Sequence, residues 1–365
     1  MKRPILYLVP DLIGPPGGIA RYCRMVCQTI QNAKIPLKVI ALEDKSTARD
    51  EVNQHFPQIS YQPCESNRSL FLYHALVSVL REQPALILIG HPHFATIGWL
   101  FAKLVNKPLI TFIYGIDVWH PLSHLRRFGL IHSNRIISIS HFTARKAVQI
   151  NRLQPEAIRI LYNCVDPQFV NKHVHSSNLA SPSMLTVGRI TSAEFYKGHN
   201  YVIQAMPALL REFPSLVYNI IGDGSGRTAL ETLAAEVGVS HAVKFHGIIS
   251  DDELRHHYEN ASLFIMPSRN EGFGFVFVEA MVQGVPAIGG NVDATPEVIV
   301  DGKTGYLVNP VSVDEIVSAA SRLLGDPERR KHMGCAAIQH VLENFSFDKF
   351  QKTFINYLIE FKEFS

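Results

Sequence analysis

Leu263-Phe264-Ile265-Met266-Pro267-Ser268-Arg269-Asn270-Glu271-Gly272-Phe273-Gly274-Phe275-Val276-Phe277-Val278-Glu279-Ala280-Met281 reads as a strand, a glycine-rich turn and a helix in succession. Leu263–Met266 is apolar throughout, the pattern of a strand covered on both faces, and Pro267 ends it. Gly284-Val285-Pro286-Ala287-Ile288 then opens the next strand. Working outward, short apolar runs recur at Ile5–Val9, Leu37–Leu42, Ala85–Ile89, Leu109–Tyr114, Ile136–Ile139 and Ile158–Leu161. A second series runs through Ser183–Val187, Val217–Ile221 and Val243–Phe245 to the stretch quoted. Longer amphipathic stretches separate the runs, and this alternation predicts a doubly wound α/β fold with parallel sheets. Two series imply two Rossmann-like domains, residues 1–170 and 183–345, joined by a polar linker at 171–182 that ends in Pro182. Residues 346–365 hold a terminal helix, from the amphipathic stretch Phe345–Phe361. Open α/β sheets bind ligands outside the carboxyl ends of their strands, so two facing domains predict a cleft lined by strand-end loops.

A chain of 365 residues suffices for two full cores, and 47% hydrophobic with 18% charged residues is the composition of a globular protein. No apolar run reaches the roughly 18 to 20 residues of a membrane span. Met1–Pro10 lacks a small-residue cleavage site and reads as a first buried strand, not a signal peptide. Cys23, Cys27, Cys64, Cys164 and Cys335 form no CxxC pair, which suits reduced core residues of a cytoplasmic protein. No spacing of ligand residues gives a three-ligand metal site, and Asp251-Asp252 lacks the Asp-x-Asp form of a metal clamp. His256-His257 is expected on a solvated helix face.

The net charge of +3 hides a split. Residues 1–170 hold 19 Lys and Arg against 10 Asp and Glu, or +9, and the remainder is −6. The first half is therefore expected to face something anionic, a membrane surface contacted peripherally or a phosphorylated acceptor. Chance combined with a shared phosphate site stays open beside that reading. Lys103, Lys107, Arg126, Arg127 and Arg135 are the candidate membrane-facing bases. The basic residues are not interleaved with aromatics, which argues against nucleic acid.

Three motifs follow strands. Gly14-Pro15-Pro16-Gly17-Gly18-Ile19-Ala20-Arg21-Tyr22 links the first strand to a helix, where Gly17 and Gly18 permit close approach of an anion to free backbone N–H groups. A tight turn is the competing reading. Val187-Gly188-Arg189, followed by Lys197-Gly198, sets two cations where they could clamp a diphosphate. In the quoted stretch, Glu271 lies in the turn and can accept bonds from hydroxyls, while Gly272 and Gly274 expose N–H groups. Glu279, two turns into the helix, suits the paired hydroxyls of a ribose, with a buried structural carboxylate as the alternative. His91-Pro92-His93 closes another strand and could bind an acceptor or pass protons.

Taken together, these residues resemble the family-4 retaining glycosyltransferases of the GT-B fold, nearly end to end. The most specific part is the Glu-x7-Glu element at Glu271 and Glu279. Ile221-Gly222-Asp223-Gly224, Phe245-His246-Gly247, Pro296-Glu297-Val298-Ile299 and Gly302-Lys303-Thr304-Gly305 fall in the family's order, as do Ser140 and Asn163-Cys164-Val165-Asp166. The resemblance implies that Arg189 and Lys197 hold the donor diphosphate, with Gly17 and Gly18 approaching it from the first domain. Glu271 and the backbone of Gly272, Phe273 and Gly274 would bind the transferred sugar, and Glu279 the ribose. Arg189, Lys197 and Glu271 would be the catalytic set. Arg21, Tyr22, His91, His93 and Asp117 are candidates for the acceptor. The terminal helix is expected to cross back to the first domain. Tyr114-Gly115-Ile116-Asp117 departs from the family's His-Gly-x-Asp, and Tyr114 is expected to offer the donor sugar one hydrogen bond in place of the histidine.

The implied activity is transfer of a hexose from a nucleotide-sugar, GDP-mannose or a UDP-hexose, to a glycan or lipid-linked glycan in surface polysaccharide or glycolipid assembly. No cofactor and no required metal are expected, because fixed cations can neutralise the leaving diphosphate. The expected location is the cytoplasm, with peripheral contact at the inner face of the membrane. A nucleotide-sugar epimerase on the same architecture and a catalytically inactive homologue are the alternatives.

Overall fold

The computed structural model describes residues 3–14, 17–170, 182–191 and 196–361. Of the segment expected to link the domains, residues 171–181 lie outside the described residues. The chain divides into two compact units, one formed by Met1–Asn163 with Asp348–Ser365 and the other by Cys164–Phe347.

Unit 1 alternates strands and helices in the order β1 (Ile5–Val9), α1 (Gly18–Asn32), β2 (Leu37–Ala41), α2 (Ala48–His55), β3 (Ile59–Pro63), α3 (Arg68–Glu82) and β4 (Leu86–Ile89). It continues with α4 (Ala95–Val105), β5 (Leu109–Ile113), α5 (His124–Ile131), β6 (Arg135–Ser138), α6 (His141–Asn151) and β7 (Ile158–Ile160). All neighbours are parallel, in the order β3-β2-β1-β4-β5-β6-β7. β1, β4 and β5 are buried at every position, as expected of parallel strands sandwiched by helices.

Unit 2 holds β8 (Ser183–Val187), α7 (His199–Glu212), β9 (Val217–Ile221), α8 (Arg227–Glu236), β10 (Val243–Gly247), α9 (Asp251–Glu259) and β11 (Leu263–Met266). α10 (Phe275–Val282), β12 (Ala287–Gly290), β13 (Gly305–Val308), α11 (Val313–Leu324) and α12 (Pro327–Asn344) follow. Its parallel sheet runs β10-β9-β8-β11-β12-β13. In both sheets the strand order reverses once, between β1 and β4 and between β8 and β11, the crevice where doubly wound sheets bind ligands.

The last helix, α13 (Phe347–Ile359), packs within unit 1. Phe350 meets the Tyr22 ring edge-on at 5.4 Å, and the Tyr357 hydroxyl donates to the Ile160 carbonyl at 2.8 Å. Glu360 pairs with Arg135 and Arg159.

β3 and β13 have no counterpart among the apolar runs read from the sequence. Both are edge strands, and Ile59-Ser60-Tyr61-Gln62-Pro63 alternates instead of running apolar, with proline tolerated only because the edge is open. The expected solvated face holds for His256 alone. His256 is exposed, but His257 is half-buried with its ring 4.5 Å from that of His246. Asp251 and Asp252 occupy the first turn of α9 behind a Ser250–Glu253 capping box, where acids complement the helix dipole.

Candidate active site

At the reversal point of unit 2, β8 ends at Val187 and β11 at Met266, so their following loops leave side by side. The chain after β8 brings Arg189, exposed, and Lys197, buried enough to leave 14% of its side chain accessible. The Lys197 ammonium sits 3.0 Å from Glu271 Oε2, 3.7 Å from Met266 Sδ and 5.4 Å from the centre of the Tyr196 ring. Burial pulls this ammonium toward the neutral form, but Glu271 and the other acids nearby outweigh it, and its pKa ends above the ordinary value. Lys197 is therefore charged at neutral pH.

The Lys197 segment and the Glu271 loop are locked together. Arg269 N–H donates to the Tyr196 carbonyl at 2.8 Å. Gly198 caps α7 with φ at 80°, and a Cβ there would collide with the Pro267 carbonyl. Only glycine fits both the left-handed backbone and that approach. Gly274 likewise opens α10 with φ at 87°, and a side chain there would meet the Phe277 ring and the Glu271 side chain.

One residue of this site was not found in the sequence. Asp293, after β12, is buried and accepts from Ser268 Oγ at 2.7 Å, Glu271 N–H at 2.8 Å and Thr295 N–H at 2.9 Å. Burial raises its pKa above the ordinary carboxylate value, while those hydrogen bonds draw it back. The Glu271 carbonyl accepts from Ala294 N–H at 3.2 Å, so the main chain of Glu271 is held on both sides. Asp293 thus fixes the turn that carries Glu271. The only signal available in the sequence was an acid placed just before Pro296-Glu297-Val298-Ile299.

The two glutamates of the Glu-x7-Glu element sit in different surroundings. Glu271 keeps 18% of its side chain accessible and faces Lys197. Glu279 is 2% exposed inside α10, and its Oε2 accepts from the buried Tyr258 hydroxyl at 2.8 Å. Phe273 is buried, leaving its backbone as the part of it that could meet a ligand. His199, next to Gly198, is buried without a partner for Nε2, and burial followed by the Lys197 charge pushes its pKa down to about 3. It is neutral.

At the reversal point of unit 1 the chemistry differs. Gly17 and Gly18 are exposed at the start of α1, which has no side-chain cap. The loop before them is held by Asp44, whose carboxylate accepts from Leu12 N–H at 2.8 Å and Tyr61 OH at 2.6 Å. Tyr22 is fully buried, with its hydroxyl on the Leu161 carbonyl at 3.2 Å and its ring against Phe112 and Tyr114. It is therefore removed from the acceptor candidates. Arg21 is half-buried in the first turn of α1.

Tyr114 also differs from expectation. Its hydroxyl is committed inward, donating to the Gly90 carbonyl at 2.9 Å and lying 4.0 Å from Cys23 Sγ, while Tyr7 OH donates to the same thiol at 3.2 Å. Burial, reinforced by Cys23, holds the Tyr114 phenol far above its ordinary pKa. The hydrogen bond expected to reach a donor sugar is made inside unit 1 instead. Asp117 accepts from Tyr114 N–H at 3.1 Å and from Gly115 N–H at 2.5 Å, and burial pushes its pKa up to about 6. His91 and His93 stack edge to face at 4.3 Å, with His93 N–H donating to His91 Nδ1 at 3.2 Å. Burial, then the charges of His93 and Arg126, pushes His91 down to about 4. His93 is exposed and also lowered, first by burial.

Among the described residues no group of three or more His, Cys, Asp and Glu converges on a metal position, and no helix is long and apolar enough to cross a membrane.

Comparison with known proteins follows the same division. The family described as Glycosyltransferase Family 4 matches residues 16–169, and that described as Glycosyl transferases group 1 matches residues 169–340. A GDP-mannose-dependent alpha-(1-6)-phosphatidylinositol monomannoside mannosyltransferase of Mycolicibacterium smegmatis is 37% identical over 158 residues, 41% of each chain. The chain thus matches less than half the length of that enzyme. A D-inositol 3-phosphate glycosyltransferase of Streptomyces bingchenggensis is 35% identical over 307 residues, 73% of this chain and 65% of the other. A crystal structure of a glycosyltransferase from Rickettsia africae ESF-5 superposes with a TM-score of 0.84 at 16% identity, covering 100% of both chains. With two Rossmann-like sheets, a Lys–Glu pair at the second reversal point and family matches that together run from residue 16 to residue 340, this chain belongs to the family-4 glycosyltransferases of the GT-B fold.

Proposed function

We propose that the chain is a retaining hexosyltransferase that moves a hexose from a nucleoside diphosphate sugar to a glycan or lipid-linked glycan in surface polysaccharide or glycolipid assembly. The observation that carries this reading is the Lys197–Glu271 pair at the reversal point of unit 2, with exposed Arg189 following Gly188, which lies against the Lys197 side chain. Unit 2 holds the donor in this reading, and unit 1 presents the acceptor. As the bond between the sugar's C1 and the diphosphate oxygen breaks, negative charge grows on the leaving phosphate, where Arg189 and Lys197 stabilise it. The acceptor oxygen attacks C1 from the face the phosphate leaves, and its proton passes to a phosphate oxygen. Glu271 orients the sugar hydroxyls and keeps Lys197 in place, while Glu279 takes the ribose. GDP-mannose is the favoured donor, because the mycobacterial relative is named for it and matches at 37% identity. In this reading Arg189 and Lys197 supply the charge a divalent metal would bring, so turnover is expected to persist in excess EDTA.

The test is incubation with GDP-mannose and UDP-hexoses, with and without glycan or lipid-linked acceptors, reading the anomeric configuration of the product by NMR. An α-linked product from an α-linked donor is expected. An epimerised nucleotide-sugar formed without acceptor would replace this reading with an epimerase. Failure to bind any nucleotide-sugar would replace it with an inactive homologue.

A further inference from the structure

The outer surface of unit 1 has a feature that donor chemistry does not use. α3, α4 and α5 lie side by side: the Phe71 and Phe94 rings meet at 5.0 Å, the Trp99 and Phe128 rings at 4.8 Å, and Gly129 of α5 lies directly against Thr96 of α4. The inner faces of α3 and α4 fill the core with Phe71, Ala75, Val79, Phe101 and Ala102, and α5 adds Leu130 to a neighbouring cluster. Their outer faces are also apolar. Leu72, Leu76 and Leu80 repeat every fourth residue along α3 and are exposed, and Leu100 and Leu104 do the same on α4. Leu125, at the start of α5, is 71% exposed.

The charge around these leucines has one sign. Between Ser66 and Pro155 the chain carries ten Lys and Arg but only two acids, Glu82 and Asp117. Both acids are occupied, Glu82 by Lys38 and Asp117 by backbone N–H groups. Arg68 and Arg81 bracket the leucine stripe of α3, Lys103 adjoins that of α4, and Arg126 follows Leu125. All four are exposed, and none pairs with a carboxylate among the described residues.

From this we propose that the α3–α4–α5 face seats on an anionic lipid bilayer, with the leucines entering the interface and the bases meeting the headgroups. An exposed apolar stripe rimmed by unpaired bases fits a surface that is apolar within and negative at its rim. A second copy of the chain fits poorly, since a two-fold contact would set like charges against one another. The face extends to Leu125 and Arg126, and the Arg126 charge acts on His91 and His93 at the strand ends. In the transferase reading, on which this last point rests, a lipid-linked acceptor would be presented there.

The experiment is co-sedimentation of the full chain with phosphatidylcholine vesicles, with and without phosphatidylglycerol, at low and high salt. Two double variants, Leu76→Asp with Leu104→Asp and Arg81→Glu with Lys103→Glu, are run beside the wild type, with titration of UDP and GDP as a check on unit 2. Binding to the anionic vesicles alone, lost at high salt and weakened about tenfold or more in both variants at unchanged nucleotide affinity, is expected. No binding, equal binding to both vesicles, or binding unchanged in both variants would overturn the proposal. So would a wild-type dimer that becomes a monomer in the leucine variant, which would make the face a self-association surface. Loss of nucleotide binding in the wild type would count against the transferase reading instead, leaving the vesicle result to stand alone.

Discussion

Where β8 meets β11, the loops carry a half-buried ammonium, a paired carboxylate and a second acid holding the turn. Where β1 meets β4, in a sheet of the same central order, the interior is a neutral set of phenols and a thiol, Tyr7, Cys23 and Tyr114, closed onto the Gly90 carbonyl. Burial pushes the Cys23 thiol up to about 12, so these three side chains carry no charge at neutral pH. One topology has been given two chemistries. A site that must stabilise a departing diphosphate needs fixed charge in place beforehand, and one that receives a neutral hydroxyl does not. In the transferase reading proposed above, that difference suits a donor on unit 2 and an acceptor on unit 1.

The largest expected effect lies at the charged point. Lys197→Ala or Arg189→Ala should lower turnover roughly 100-fold or more, as expected for loss of a charge stabiliser. Steady-state kinetics checks it, and near-normal turnover in both would dissolve the contrast between the two regions. Next comes Asp293. Asp293→Ala strands the Ser268 hydroxyl and two backbone N–H groups, at a cost of about 1–3 kcal/mol for each group left unsatisfied, with turnover falling about tenfold or more as the Glu271 turn loosens. Thermal melts and kinetics together read this, and Asp293→Asn should recover part of the rate. An effect on stability with no effect on rate would make Asp293 purely structural.

Effects at the neutral point should be smaller and should appear in stability. Asp117, pushed from 3.8 to about 6, binds its proton first in the folded state, so the stability it contributes declines as pH rises through that window. His91, lowered from 6.5 to about 4, has the opposite sign, and its contribution is lost as pH falls from 6.5 toward 4. Melting curves across this range should therefore rise more steeply with pH in Asp117→Asn and more gently in His91→Asn. Shifts of the same sign in both would contradict the assignment. Smallest of all is Tyr114→Phe, which should cost about 1 kcal/mol of stability and leave turnover within about threefold, because its hydroxyl is already bonded inside unit 1. A large drop in donor affinity would return Tyr114 to the donor site.

The sequence carried the doubly wound fold because buried parallel strands leave uninterrupted apolar runs, as at Leu263–Met266. It did not carry β3 or β13, whose edge positions relax that demand. The Glu271 turn was legible because glycine spacing and a loop carboxylate are local signals. Asp293 was not, since its role depends on β12 lying beside β11, a contact made across 22 residues of sequence. The inward commitment of Tyr22 and Tyr114 escapes the sequence for a related reason. A tyrosine near a glycine loop looks available until the packing of Phe112 and the Gly90 carbonyl shows where it points.

Calorimetric titration of UDP and GDP tests the division of labour most directly. Wild type, Lys197→Ala and Asp117→Asn are compared under one salt condition. Lys197→Ala should weaken the preferred diphosphate about tenfold or more, through loss of a charge-assisted contact, and Asp117→Asn should leave it unchanged. Unchanged affinity in Lys197→Ala together with weakened affinity in Asp117→Asn would move the donor to unit 1 and contradict the account.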